Sequence, residues 1–213
     1  MTSWPFENLT PLKYGAILAD PPWSYEMRSD VGHAKSPHAH YDCMTIEDIK
    51  ALPVDQLAGG DCLLFMWSTW PHLKQAQAVM EAWGFTYKSG GAWFKKMGRG
   101  ASAFGTSYIF RSSTEPYLVG TIGEPFYRAR NIRNEILTAD LDRDPLWLDD
   151  EMSWFPDAIE GLRREHSRKP PEARQILDTL LPHSVKAELF GREPWEGADV
   201  WGNQADKFAG QAA

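Results

Sequence analysis

The sequence predicts an α/β protein with a mostly parallel central sheet and helices on both faces. Apolar runs of strand length alternate along the chain with segments whose apolar residues repeat at helical spacing. The run DCLLFMW at 61–67 is apolar without alternation, as expected for a strand that is covered on both faces. At 213 residues, the chain has the length of one domain with a substantial core.

The first half of the chain supplies strands and helices in alternation. The run GAILA at 15–19 predicts a strand that two prolines end, because neither proline can donate a ladder hydrogen bond. Thr45 is a suitable N-cap for a short helix. Ser68 and Thr69 can cap a longer helix, which we expect to end at Gly84.

The second half continues this pattern. Residues 85–87 and 92–94 indicate either one strand interrupted by a Gly-Gly pair or two strands, and residues 117–120 indicate a further strand. The run 171–181 has apolar residues at helical spacing, and VKAELF at 185–190 predicts a strand that a glycine ends.

One segment does not fit the alternation. Residues 139–161 are rich in acid and tryptophan, and we expect them to form an insertion or lid within a single domain spanning 1–213. From Asp140 to Glu160 there are eight acidic residues against Arg143 alone, so this part carries the whole formal net charge of −7. The basic clusters elsewhere could meet phosphate groups or face solvent.

Composition argues against several classes of protein. Cys43 and Cys62 are too few for a disulfide framework, so we expect a reducing, cytoplasmic setting. No apolar run reaches the roughly 18 residues that a membrane-spanning helix needs, and the first residues lack the pattern of a signal peptide. The chain also lacks the P-loop, dinucleotide-binding and hydrolase nucleophile motifs.

One histidine-rich loop has residue types that could bind a metal ion. His33, His38, His40 and Cys43 lie close together in the sequence, but their spacing matches no standard zinc template. We therefore expect no metal ion.

The most informative segment is DPPW, Asp20 to Trp23, directly after the first predicted strand. Average residue usage makes this tetrapeptide rare by chance. Its position also matters, because open α/β sheets bind their ligands at the carboxyl ends of the strands. This segment resembles the motif D/N/S-P-P-F/Y/W of amino-group methyltransferases, in the form that ends in Trp.

Three further segments extend the resemblance to one family, named for the seventy-kilodalton subunit of mRNA N6-adenosine methyltransferase. SRKPPE at 167–172 resembles the family's S-x-K-P-x-E, KAELFGR at 186–192 its x-E-L-F-x-R strand, and DVWGNQ at 199–204 its closing segment. All occur in the family's order, and the resemblance spans about residues 14–204.

The resemblance implies a Rossmann-like methyltransferase fold in which the catalytic motif precedes the cofactor strand, a circularly permuted order. It implies methylation of adenine N6 in nucleic acid, with DNA favoured and S-adenosylmethionine as methyl donor. The implied catalytic residues are Asp20, Pro21, Pro22 and Trp23. The Asp20 carboxylate and the Pro21 carbonyl would accept hydrogen bonds from the amine and localise its lone pair, while the double proline keeps that carbonyl stiff.

The resemblance also implies binding residues. Those for the cofactor are Ile17, Asp20, Lys169, Glu188, Phe190, Arg192, Asn203 and Gln204. Glu188 can accept hydrogen bonds from ribose hydroxyl groups, and Lys169 can meet the methionine carboxylate. For the target base and its strand, the candidates are Trp23, Tyr41, Trp93, Lys95 and Tyr108. Aromatic rings suit these roles because an extracted or single-stranded base stacks on them.

Alternatives stay open at this point. The polymer could be RNA, the substrate could be a small adenine-like amine, or the chain could be a catalytically silent member that binds RNA or a partner. The intact DPPW motif, together with Lys169 and Asn203, argues against silence. The run EPWE at 193–196 is more acidic than the family's polar run at this place, so the ribose contacts of that run are not carried over.

Overall fold

The structure, a computed structural model, describes residues 4–24, 43–95, 109, 112–128, 135–137, 159–160, 169–205 and 207. Tyr41, Tyr108 and the acidic segment 139–161, apart from the backbone of 159–160, lie outside the described residues. Among the described residues, no helix combines the length and the hydrophobicity that crossing a bilayer requires.

Strands and helices alternate along the described chain, which confirms the α/β prediction. The strands are β1 (Tyr14–Ala19), β2 (Ala58–Trp67), β3 (Thr86–Phe94), β4 (Thr114–Ile122), β5 (Glu135–Leu137), β6 (Ile159–Glu160), β7 (Lys186–Leu189) and β8 (Ala198–Trp201). The helices are α1 (Ile46–Lys50), α2 (Leu73–Ala82) and α3 (Glu172–Leu180).

Local sequence determines where several helices begin. Thr45 caps α1 as predicted, because its hydroxyl oxygen accepts the Asp48 N–H at 3.1 Å. Thr69 lies at the predicted N-cap position, because it precedes a 3-10 turn at Trp70–His72 that leads into α2. Its side chain does not cap a helix N–H, however, since the Thr69 hydroxyl binds the His72 ring at 2.8 Å.

Two compact units divide the chain. The first comprises residues 1–89, 118–125 and 184–213, and the second comprises residues 90–117 and 126–183. The expectation of a single domain with an acidic insertion stays a prediction. Strands β3 and β4 contribute residues to both units, and β3 runs without a break through Gly90 and Gly91, which decides for one strand rather than two.

The first unit is built on the strand order β4-β2-β1-β7-β8. Strand β1 pairs in parallel with β2 and with β7, and β7 pairs in parallel with β8. The register places Ala19 beside Met66 on one side and Leu189 on the other, and Leu189 beside Trp201. The carboxyl ends of four strands therefore meet at one edge, where parallel sheets place ligands.

The core of the first unit explains why the central strands read as continuous apolar runs. Ile17, Leu64 and Met66 are fully buried, and Trp83 from the end of α2 packs in the same cluster. The Trp83 indole N–H donates to the Ile49 carbonyl at 2.8 Å, so α2 and α1 are joined as well as packed. This packing fixes the strands that carry the candidate site.

The second unit contains the end of β3, the start of β4, β5, β6 and α3. Strand β5 pairs in parallel with β3 and with β6. Helix α3 buries Ala173, Ile176 and Leu177, which matches the apolar face predicted for residues 171–181.

Candidate active site

The catalytic loop, defined as Asp20–Trp23, leaves β1 at the edge where β2 and β7 also end. The Asp20 N–H donates to the Leu189 carbonyl at 3.2 Å, so the pairing with β7 continues one residue past the end of β1. Asp20 itself is half-buried. The backbone of Asp20 is therefore fixed to the end of β7.

The two prolines accept hydrogen bonds in place of the ones they cannot donate. The Trp23 N–H donates to the Pro21 carbonyl at 2.9 Å, and the Met44 N–H donates to the Pro22 carbonyl at 3.1 Å. A carbonyl oxygen has two lone pairs. The Pro21 carbonyl thus retains the capacity to accept a second hydrogen bond, and the first fixes its direction.

Trp23 anchors the loop in the core. Its side chain is 4% exposed, and its indole N–H donates to the Trp67 carbonyl at 3.3 Å. One face packs on the ring of His72 with centroids 5.7 Å apart. Base stacking on Trp23 stays a prediction, and a base would have only a narrow exposed margin of this ring in the described structure.

The carboxyl end of β7 carries the predicted cofactor residues. Glu188 lies between Leu18 of β1 and Val200 of β8 and is 8% exposed. The next residue but one, Phe190, has φ of +61°, a left-handed backbone that non-glycine residues seldom adopt. Its ring is held edge-on against Trp201 at 5.2 Å. Strained residues of this kind cluster at functional sites.

Two glycines let the ends of β7 and β8 approach closely. The Gly191 N–H donates to the Trp201 carbonyl at 3.0 Å. A methyl group at Gly202 would lie 2.7 Å from the Gly191 carbonyl oxygen, closer than real side chains approach. Beyond this contact, Asn203 is exposed and Gln204 is half-buried. Both line an open depression of about 470 Å³ together with Gly202, Ala205 and Lys207.

Ile17 and Arg192 are placed differently from their predicted neighbours. Ile17 is fully buried in the core cluster of the first unit, so its side chain has no exposed surface for a ligand in this structure. Arg192 is half-buried just after Gly191. The cofactor roles of both residues stay predictions.

In the second unit, a buried carboxylate joins two lysines that the sequence predicted for different ligands. Glu115 of β4 is 8% exposed; its two oxygens lie 2.5 Å from the Lys95 ammonium and 2.6 Å from the Lys169 ammonium. Burial alone would raise the pKa of Glu115, but the two lysines outweigh it and lower the pKa from 4.5 to about 2. The three groups carry a net charge of +1.

The same unit places an aromatic ring beside one of these cations. The Lys95 ammonium lies 4.9 Å from the centroid of Trp93, at the end of β3. Trp93 is 3% exposed, so its buried ring contacts the Lys95 ammonium but has almost no surface exposed to solvent. A role of Trp93 in base stacking stays a prediction.

Glu115 and His72 were missed by the sequence reasoning. A signal for Glu115 was present, because an acidic residue within an otherwise apolar strand requires a cationic partner. The predicted strand at 117–120 began too late to include it. His72 gave a weaker signal, a histidine two residues after a Trp in the turn that follows an apolar strand.

A family comparison agrees with this geometry. The MT-A70 family model matches residues 14–204, from the first residue of β1 to the glutamine that closes the last motif. The chain belongs to the MT-A70 family. The resemblance that four short motifs indicated is thereby confirmed, including its extent.

Three relatives carry three different descriptions. The type II methyltransferase M.MunI of a Mycoplasma species is 28% identical over 92% of this chain and 80% of its own length. An N(6)-adenosine-methyltransferase MT-A70-like protein of Arabidopsis thaliana is 28% identical over 84% of this chain but only 22% of its own length. The human N(6)-adenine-specific methyltransferase METTL4 is 26% identical over 92% of this chain and 38% of its own length.

Membership of the MT-A70 family makes the chain a methyltransferase of a family that methylates adenine at N6. The strand order and parallel pairing agree with a Rossmann-like methyltransferase fold. The chain spans most of M.MunI but between about a fifth and two fifths of the Arabidopsis and human relatives.

The residues present fit the methyl donor that methyltransferases of this kind generally use. Glu188 offers a buried acceptor near a strand end, and Asn203 and Gln204 offer donors and acceptors at the depression beside Gly202. These residues of the first unit suit the hydroxyl and amino groups of S-adenosylmethionine, and the role of Lys169 in cofactor binding stays a prediction.

Proposed function

We propose that this chain is an S-adenosylmethionine-dependent methyltransferase that acts on the N6 amine of adenine in DNA. The observation that carries the proposal is the position of the catalytic loop, which is hydrogen-bonded to the end of β7 through Asp20 and Leu189. That contact puts the predicted amine acceptors next to the strand that carries Glu188. An acceptor group and a cofactor strand at one sheet edge are what methyl transfer to an amine requires.

The chain's own residues supply positioning and hydrogen-bond acceptors. An adenine amine is a poor nucleophile because its lone pair is delocalised into the ring. The Asp20 carboxylate accepts one amine hydrogen and the free lone pair of the Pro21 carbonyl accepts the other, which localises the nitrogen lone pair. The carboxylate also holds the proton that the amine loses. When bound, the methyl donor supplies an electrophilic carbon on a sulfonium that departs as a neutral thioether.

Hydrogen bonds and core packing hold the loop in place, which favours this role. The Pro21 carbonyl is already directed by the Trp23 N–H at 2.9 Å, and Trp23 is held by the core. Groups that are fixed in advance need no reorganisation during the reaction. Removal of one preorganised hydrogen-bond donor from an oxyanion hole costs roughly 100- to 1,000-fold in rate, and we expect a similar cost for removal of one acceptor here.

DNA is favoured over RNA by the extent of the match. The chain covers 80% of M.MunI, which is named as a type II methyltransferase, and we infer DNA as the polymer from this likeness. The Arabidopsis relative is named for adenosine and has a similar identity, so RNA is the second candidate. The Lys95–Glu115–Lys169 cluster, with its net positive charge, suits the phosphates of either polymer.

A transfer assay with four matched polymers tests the proposal. The purified chain is given methyl-labelled S-adenosylmethionine and single- or double-stranded DNA or RNA of one sequence, and the product nucleosides are identified. We expect N6-methyldeoxyadenosine. If only RNA is methylated, RNA and not DNA is the polymer substrate. If no polymer is methylated and calorimetry detects no binding of S-adenosylmethionine, the chain is a catalytically silent member of the family.

A further inference from the structure

A histidine outside every recognised motif holds the outgoing side of the catalytic loop. His72 closes the 3-10 turn after β2 and is 7% exposed. Its Nε2 atom lies 2.9 Å from the carbonyl oxygen of Ser24, the first residue after the motif. Its ring stacks on Trp23 with centroids 5.7 Å apart and planes 18° apart. One side chain thus contacts the last residue of the motif and the residue that follows it.

The hydrogen bonds of His72 define its protonation. A carbonyl oxygen can only accept, so Nε2 carries the hydrogen that binds Ser24. In the neutral ring Nδ1 is then an acceptor, and the Thr69 hydroxyl, 2.8 Å away, donates to it. Burial lowers the pKa of His72, against an opposing effect of the Ser24 carbonyl, so the ring is neutral at pH 7.

The loop is held on both sides of its prolines. On the incoming side the Asp20 N–H binds the Leu189 carbonyl, and on the outgoing side His72 binds Ser24. Between them, the Trp23 N–H binds the Pro21 carbonyl. A displacement of Trp23 therefore changes the direction of the Pro21 carbonyl, which is proposed to accept a hydrogen bond from the amine.

We propose that His72 is a positioning residue, which fixes the direction of the Pro21 carbonyl through Ser24 and Trp23. The proposal rests on the proposed methyltransferase function, in which that carbonyl is an acceptor. His72 would thus affect the rate through its contacts with the catalytic loop and not through contact with the substrate or the cofactor. A misplacement of about 1 Å at a reacting group can cost about 100-fold in rate.

Three variants separate the two contacts of His72. His72→Gln retains an N–H that can reach Ser24, His72→Phe retains the ring on Trp23 without the hydrogen bond, and His72→Ala removes both. His183→Gln is the control, because His183 is an exposed histidine in the turn after α3. Each variant is compared with the wild type by kcat, by the KM for S-adenosylmethionine and by the melting temperature.

The expected result is a fall in kcat without a matching change in cofactor binding. We expect His72→Ala to lower kcat by about 10- to 100-fold, with KM for S-adenosylmethionine changed by less than about two-fold. His72→Gln should recover most of kcat, and His183→Gln should match the wild type. Wild-type kcat in folded His72→Ala would overturn the proposal, and wild-type kcat in His72→Phe would overturn the role of the hydrogen bond.

A measurement without turnover separates this proposal from the proposed function. In nitrogen-15 spectra of histidine-labelled protein at pH 7, His72 should carry hydrogen on Nε2 and none on Nδ1. A charged ring or the opposite tautomer would contradict the proposed contact whether or not the chain methylates DNA. If the spectra agree but the wild type transfers no methyl group to any polymer, the proposed function fails and the contact with the loop stands.

Discussion

Lys169 forms a buried ion pair with Glu115, with 2.6 Å between the ammonium nitrogen and a carboxylate oxygen. The other oxygen of Glu115 binds Lys95 at 2.5 Å. A lysine predicted for the cofactor and a lysine predicted for the polymer therefore share one carboxylate. The Glu115 carboxylate holds both ammonium groups in place. Removal of one partner would destabilise the protein, because it leaves buried charge that is less well compensated.

Glu115 should make the protein's stability depend on pH in acid. The folded-state pKa of about 2 lies below the ordinary value of 4.5, so the stabilising contribution is present above pH 4.5 and is lost as the pH falls towards 2. The full difference corresponds to on the order of 3 kcal/mol. The free energy of unfolding in urea, followed by circular dichroism between pH 2 and 7, measures it.

A pair of variants isolates this effect from other carboxylates. Glu115→Gln should lower stability at pH 7 and flatten the dependence below pH 4.5. Glu47→Gln is the control, since Glu47 is 81% exposed and pairs with Lys50 on the surface of α1. Equal pH profiles for Glu115→Gln and the wild type would contradict the stabilising role of the buried pairs.

Lys95 should contribute to polymer binding through charge. We expect Lys95→Gln to weaken DNA binding and to reduce the slope of log affinity against log salt by about 1. The control is Lys88→Gln, an exposed lysine in β3, the strand that ends just before Lys95. Fluorescence anisotropy at several salt concentrations measures the DNA affinity and its salt dependence. An unchanged slope would mean that Lys95 pairs with Glu115 and does not contact DNA phosphates.

The sequence predicted the structure well where a residue type has one strong local structural preference. DPPW after an apolar run, the strand that carries Glu188 and the closing GNQ could all be placed from local pattern, because prolines end strands and apolar runs become buried strands. The family match over 14–204 has the extent that these motifs indicated.

Contacts between distant segments could not be predicted from local pattern. Glu115 meets lysines 20 and 54 residues away in sequence, and His72 meets Ser24 across 48 residues. Thr69 lies at the predicted N-cap position, but the bond of its hydroxyl to the His72 ring could not be predicted. The burial of Trp23 could not be predicted either, because an aromatic residue at a strand end can equally well stack on a ligand or pack in the core.

Glu188 should be needed for the cofactor and not for DNA. Glu188→Gln keeps the volume but replaces one acceptor oxygen by a donor, so we expect S-adenosylmethionine affinity to fall about 10- to 100-fold. Glu196→Gln, an exposed residue on the following loop, is the control. Calorimetry with the cofactor and anisotropy with DNA give the two affinities, and an unchanged cofactor affinity would refute the assignment.

Gly202 should not tolerate a side chain. In Gly202→Ala the new methyl group would meet backbone atoms, 2.7 Å from the Gly191 oxygen and 3.0 Å from the Phe190 carbonyl carbon, so the ends of β7 and β8 must separate. We expect a loss of about 1–3 kcal/mol in stability and weaker cofactor binding.

Gly197→Asn is the control for this substitution. Its φ of +86° strains any side chain, asparagine less than most, but no atom outside the neighbouring residues lies within 4 Å of an added Cβ, so we expect a smaller loss than for Gly202→Ala. Thermal melting and calorimetry compare the two variants. Equal behaviour of Gly202→Ala and the wild type would show that close approach of these strand ends is not required.

The central claim is that the Asp20 carboxylate activates an adenine N6 amine, and mass spectrometry of the product tests it most directly. DNA treated with S-adenosylmethionine bearing a deuterated methyl group is digested, and labelled N6-methyldeoxyadenosine is quantified for the wild type, Asp20→Ala and the exposed control Asp55→Asn. We predict labelled product from the wild type and the control, with a loss of at least about 100-fold in folded Asp20→Ala. Label on another atom, or wild-type yield from Asp20→Ala, would contradict the account.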